Sequence, residues 1–199
     1  MNLHQIKIYQ EFCKEASHSV DIRNMRQNNF IPTKFIYAMI TFNIIYENFY
    51  REHPLPNDKV YVNDKIKVLV DKIFNDIKLE ELYNTLKIDT LEIDIFKRIR
   101  NDSSINKKIK LDDKELDISY KDVFLESFNF IKKNKKIQKE ELLRILLFIN
   151  RIRNNFFHGS KSLYDILNNV NHNERLNVYT DIILAVNEIC IKELKIGGY

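Results

Sequence analysis

Arg153, Asn154 and His158 are the residues of this 199-residue chain whose types and spacing best suit chemistry. An imidazole with an unperturbed pKa of about 6.5 can take or give a proton near neutrality. A guanidinium stays charged and presents a planar fork that matches phosphate oxygens. Together they provide proton transfer and stabilisation of a developing charge on phosphorus-bound oxygen. Asn154 can orient either group by hydrogen bonding. The sequence contains no Gly-rich phosphate loop, no Gly-x-Ser-x-Gly arrangement and no His/Cys/Asp cluster at metal spacing. No cofactor or metal is therefore expected.

A helix must position these groups. Leu142, Ile145, Leu146, Ile149, Ile152 and Phe156 fall within a sector of about 120° at 100° per residue, so a helix starting near Lys139 is expected. Arg153 lies about 40° from Ile149, at the edge of the core-facing stripe, and Arg151 points nearly opposite. An arginine at that edge needs a partner, and a structural pairing with Glu47 or Glu126 is the plain alternative to catalysis. Gly159 is the natural left-handed helix end, after which Ser160 or Ser162 can cap a further helix through Tyr164, Ile166, Leu167 and Val170. Taken alone, His158 is better explained as an ordinary polar helix-end residue than as a catalytic group. Five residues of ideal helix turn about 140°, so Arg153 and His158 converge only if the last turn distorts or a second chain completes the site across a two-fold axis.

Elsewhere the pattern is also helical. Phe35, Ile36, Met39, Ile40, Phe42, Ile45, Tyr46 and Phe49 define a largely buried helix from Pro32-Thr33 to Arg51, which His53-Pro54-Leu55-Pro56 breaks. On it Asn43 is either hydrogen-bonded core or part of the site, and Tyr46 is expected in the core. The spacing predicts an amphipathic helix from Lys59 to about Ile77, shorter helical stretches over 79–100 with Asp89-Thr90 as a cap, and a loop or insertion from Asn101 to Asp117. Further helices are expected over Ser119–Lys133 and Glu174–Leu194. The run Lys132-Lys133-Asn134-Lys135-Lys136 is expected as a solvated turn, with direct RNA contact as the alternative.

Hydrophobic residues make up 44% and charged residues 30%, with three Gly, three Pro and no Trp, which fits one helical domain over residues 1–199 with 54–118 as an insertion. The net charge of +4 is mildly basic. Cys13 and Cys190 stand in no metal or disulfide pattern, and no secretory h-region or long apolar stretch occurs, so a cytoplasmic protein without a membrane partner is expected.

Arg151-Ile152-Arg153-Asn154-Asn155-Phe156-Phe157-His158-Gly159-Ser160-Lys161 resembles the signature of the HEPN superfamily (higher eukaryotes and prokaryotes nucleotide-binding), in which Arg, often followed by Asn or another polar residue, precedes His by four to six residues. Thr41–Tyr50 is similar to the long hydrophobic helix, bearing an Asn and a Tyr, that opens many prokaryotic members. The resemblance covers about a fifth of the chain. It implies an all-α, antiparallel helical bundle with additional helices, dimerising so that the two motifs face each other, and a metal-independent cut in RNA that leaves a 2′,3′-cyclic phosphate. In this expectation Arg153, His158 and Asn154 are catalytic, while Arg151, Lys161 and Asn43 bind substrate. A toxin or anti-phage effector with an antitoxin or sensor partner is implied, the alternative being a non-catalytic RNA- or protein-binding module. Some family toxins carry a modified tyrosine two residues after the histidine; Ser160 stands there, and the nearest tyrosine is Tyr164.

Overall fold

The computed structural model describes residues 31–56, 60–88, 96, 106–111, 114–157 and 170–196. These residues are mostly helical: six helices and one two-stranded antiparallel sheet. In order they are α1 (Ile31–Glu52), α2 (Val62–Ile73), α3 (Asp76–Leu86), β1 (Lys108–Leu111), β2 (Lys114–Ser119), α4 (Tyr120–Asn134), α5 (Lys139–Phe157) and α6 (Val170–Ile196). The all-α class expected from the periodicity is the class observed. No described helix is long and apolar enough to cross a membrane.

The chain divides into two compact units. In the first, residues 31–45 of α1 and the whole of α6 bury Phe35, Ala38, Met39, Phe42, Ile182, Ile183 and Val186. Asn187 Nδ2 donates to the Ala38 carbonyl at 3.1 Å, a buried side-chain link that joins the two helices. At their solvent edge Lys34 and Asp181 form an ion pair at 3.5 Å.

The second unit, Tyr46–Asn155, holds the end of α1 and every element from α2 to most of α5. His53 ends α1: its Nδ1 lies 3.1 Å from the Phe49 carbonyl and its ring stacks on Phe49 at 4.4 Å. Pro54 and Pro56 follow in irregular backbone, as the sequence predicts. α2 starts where Asp64 Oδ2 accepts the Tyr61 backbone N–H at 2.8 Å.

The expected helix over Lys59–Ile77 is two helices. Asn75 accepts the Lys78 backbone N–H at 3.1 Å and starts α3 afresh, a local side-chain bond that competes with continuing α2. The phase resets at that point, so Ile77, placed on the apolar stripe by its spacing, is 76% exposed. Lys87 closes α3 in the left-handed conformation at φ 45°. The proposed cap at Asp89-Thr90 lies outside the described residues.

The loop or insertion expected over 101–117 is corrected in part: β1 and β2 form an antiparallel pair that aligns Lys108 with Ser119 and Leu111 with Lys114. The alternation Lys108-Ile109-Lys110-Leu111 has period two, but it is so short and lysine-rich that it reads as polar loop. Ile109, 1% exposed, anchors it. Ser119 ends the hairpin and caps α4, its Oγ accepting the Asp122 N–H at 3.1 Å and donating to Asp122 Oδ2 at 2.6 Å. Ser119→Ala is therefore expected to cost about 1 kcal/mol, read as a lower urea midpoint with an unchanged slope.

α4 packs on α5 through aromatic rings. Phe124 stacks on Phe148 with centroids 4.3 Å apart, and Phe96 closes on Phe124 and Phe128 at 5.2 and 4.8 Å. Lys135 then takes φ 55° and donates its N–H to the Ile131 carbonyl at 2.9 Å, ending α4 at the basic run. Lys133, Asn134, Lys135 and Lys136 are exposed there, as a solvated turn requires.

Candidate functional site

α5 buries Leu142, Ile145, Leu146 and Ile149 on the stripe that the sequence predicts, and carries Arg151, Ile152, Arg153 and Asn154 half-buried in its last turns. His158 and Lys161 lie outside the described residues, as do Gly159, Ser160 and Tyr164. Arg153 Nη1 donates to Asn154 Oδ1 at 2.9 Å, so the two adjacent motif residues are coupled directly.

Arg153 also acts on Tyr46. Burial pushes the Tyr46 phenol up to about 12, with the Arg153 charge opposing that rise and Glu47 adding to it. Tyr46 is buried, as expected, and it also shares the electrostatic surroundings of the motif arginine, which the sequence does not show. The buried carboxylate offered as a structural partner is not Glu126, which is exposed on α4. The Glu47 carboxylate is half-buried and takes Lys65 Nζ at 2.7 and 2.8 Å.

The raised phenol has a measurable consequence. An unfolded tyrosine ionises near 10 and the folded Tyr46 near 12, so its contribution is fully present below about pH 10 and is lost as pH rises through about 12. The loss is on the order of 2–3 kcal/mol. Tyr46→Phe should flatten that alkaline fall in urea midpoints measured from about pH 9 to 12, leaving the part due to Tyr179, whose burial also raises its phenol.

Arg151 does not simply project into solvent. Its guanidinium carbon lies 5.9 Å from the Tyr120 ring centroid, a cation–π contact, and the Tyr120 hydroxyl accepts from Asn63 Nδ2 at 2.8 Å. Arg151 and Asn154 line a cleft of about 310 Å³ together with Tyr61 and Asn63 at the start of α2 and Lys107 and Lys108 at the hairpin. Arg153, Asn154 and Arg151 thus occupy one short stretch of α5, with Asn154 touching both the arginine pair partner and the cleft. Asn43 is half-buried on α1 in the first unit, one helical turn before Tyr46.

Sequence reasoning passed over Lys107, Lys108, Asn63, Tyr120 and Asn150, all of which line the cleft. For Asn150 a signal existed: it follows the apolar run Leu146-Leu147-Phe148-Ile149 and continues it into the core, where a polar side chain needs a reason. The lysines gave none, because the hairpin that presents them was read as loop. A second cleft, by the basic run, mixes Lys135, Lys136 and Lys139 with Asp76 and Glu80 and so offers no uniform charge. Among the described residues no group of three or more His, Cys, Asp or Glu could hold a metal ion.

No family model matches the chain, and neither a curated protein nor a solved structure matches it.

Proposed function

We propose that this protein is a metal-independent endoribonuclease of the HEPN type, acting as a homodimer. The observation that carries the reading is the half-buried Arg153 guanidinium, hydrogen-bonded to Asn154 in the last turn of α5 and five residues before His158. His158 takes the proton of a ribose 2′-hydroxyl or gives one to the leaving 5′-oxygen, and Arg153 stabilises the charge that develops on the phosphate. Asn154 holds the guanidinium in place, and Arg151 with Lys161 engages flanking phosphates. Attack by the 2′-oxygen leaves a 2′,3′-cyclic phosphate and a free 5′-hydroxyl, so DNA, which lacks that nucleophile, is not cut.

Such an activity suits a cytoplasmic toxin or anti-phage effector held in check by an antitoxin or sensor protein. The test is incubation of the purified protein with RNA in chelator, with sedimentation to establish the dimer and analysis of the 3′ ends for the cyclic phosphate. Cleavage that persists in chelator and yields that end supports the reading, and its complete absence refutes it. The second reading, an RNA-binding module without catalysis, draws on the basic cleft beside Arg151, which needs no imidazole to bind an anion. RNA affinity that depends on Arg151 and on salt, with no cleavage at any pH, would select it.

A further inference from the structure

Asn150 sits in the cleft wall at 3% exposure, and its Oδ1 has no hydrogen-bond partner among the described residues. A buried acceptor left unmet costs stability, and the cost is removed when a ligand brings a donor to it. Around this acceptor the described lining is cationic. Lys107, Lys108 and Arg151 line the cleft, and none of the described lining residues is acidic. Among the lining residues Tyr61 leaves 43% of its surface exposed, a flat aromatic face against which a base can stack.

A ribonucleotide meets these requirements with a donor close to its phosphate. A nucleic-acid phosphodiester by itself offers only acceptors, which suit the cations and leave Asn150 unmet. A ribonucleotide adds the 2′-hydroxyl, a donor set close to the phosphate, and a base with two stacking faces. The volume of about 310 Å³ is at the small end of ligand pockets, which fits one unpaired nucleotide and excludes a duplex.

We infer that this cleft is a subsite for a single unpaired ribonucleotide of an RNA strand. Lys107, Lys108 and Arg151 bind its phosphate, Asn150 accepts from its 2′-hydroxyl and Tyr61 stacks on its base. The subsite deepens the proposed function, resting on it for RNA as the ligand's source. It also gives the hairpin ahead of α4 a role, since Lys107 and Lys108 at its start bring two cations to the cleft.

The experiment uses the full chain carrying His158→Ala, so that the probe survives, and measures fluorescence anisotropy of a labelled single-stranded oligoribonucleotide. The deoxy oligomer of the same sequence and adenosine monophosphate are run beside it. Lys107→Gln with Lys108→Gln, both exposed side chains, should weaken RNA binding by roughly tenfold or more and reduce its salt dependence. Asn150→Leu should weaken binding of RNA by roughly five- to tenfold, leave the weaker binding of DNA unchanged, and melt no lower than its parent, because it removes an unmet buried acceptor. Unchanged RNA affinity in the lysine pair, or equal affinity of the parent for RNA and DNA, overturns the subsite. So does binding of the mononucleotide without the oligomer, which would make the site one for a free nucleotide.

If Asn150→Leu fails to fold, the lysine pair and the RNA-to-DNA ratio decide. The two readings fail separately. RNA binding with these responses but no cleavage by the unsubstituted chain retains the subsite and removes the nuclease; cleavage by the unsubstituted chain, with RNA binding that neither the lysine pair nor Asn150→Leu changes, does the reverse.

Discussion

His158→Ala is expected to lower RNA cleavage in chelator by about 10²–10⁴-fold, the range over which positioned proton transfer contributes to catalysis. Added imidazole should restore part of the rate, since a diffusible base can take the vacated role. Arg153→Ala should cost about 10²–10³-fold through loss of the group that meets the developing phosphate charge. Arg153→Lys keeps the charge and loses the fork, so it should fall between the two. The double variant should be little slower than the worse single, because residues acting on one transition state are not additive.

Arg153 also opposes the rise of the buried Tyr46 phenol, and its removal should move that phenol further up. Melting and circular dichroism of each variant therefore accompany the rates. Equal cleavage by unsubstituted protein, His158→Ala and Arg153→Ala refutes the assignment of the site.

Phe148→Ala is expected to destabilise the second unit by about 3–5 kcal/mol, the usual cost of emptying a fully buried phenylalanine site. Phe148 is wholly buried and stacks on Phe124 at 4.3 Å, within a cluster that includes Phe96 and Phe128. Domain stabilities are about 5–15 kcal/mol, so this single change removes a large share. Function should follow, because α4 carries Tyr120 at its first turn and α5 carries Arg151, and that ring stack holds the two helices together. Urea unfolding measures the effect. A cost below about 1 kcal/mol would mean that neighbouring side chains collapse into the vacated volume, contrary to the packing described here.

Helix content was legible in the sequence wherever a long apolar stripe sustained it. α1, α4, α5 and α6 lie within a few residues of their expected bounds because four or more turns of repeated spacing outweigh any local preference. Short-range competition was harder to see. Asn75 divides what reads as one helix, and Ile109 holds a hairpin inside what reads as lysine-rich loop. In both cases one side chain decides, through a capping bond or a burial site whose existence depends on neighbours distant in the chain.

The candidate site divides in the same way. Residue type and order alone determined that a guanidinium and an amide adjoin in the last turns of a long helix, with an imidazole five positions after the guanidinium in the sequence, since periodicity places the first two and chemistry limits what all three can do. Only the tertiary structure decided that Arg153 lies beside Tyr46, that Arg151 rests on Tyr120, and that Asn150 and two hairpin lysines share a cleft. Those neighbours come from segments 30 to more than 100 residues away in the sequence. Spacing along one helix carries no information about which other element packs against it, whereas burial and electrostatics depend on little else.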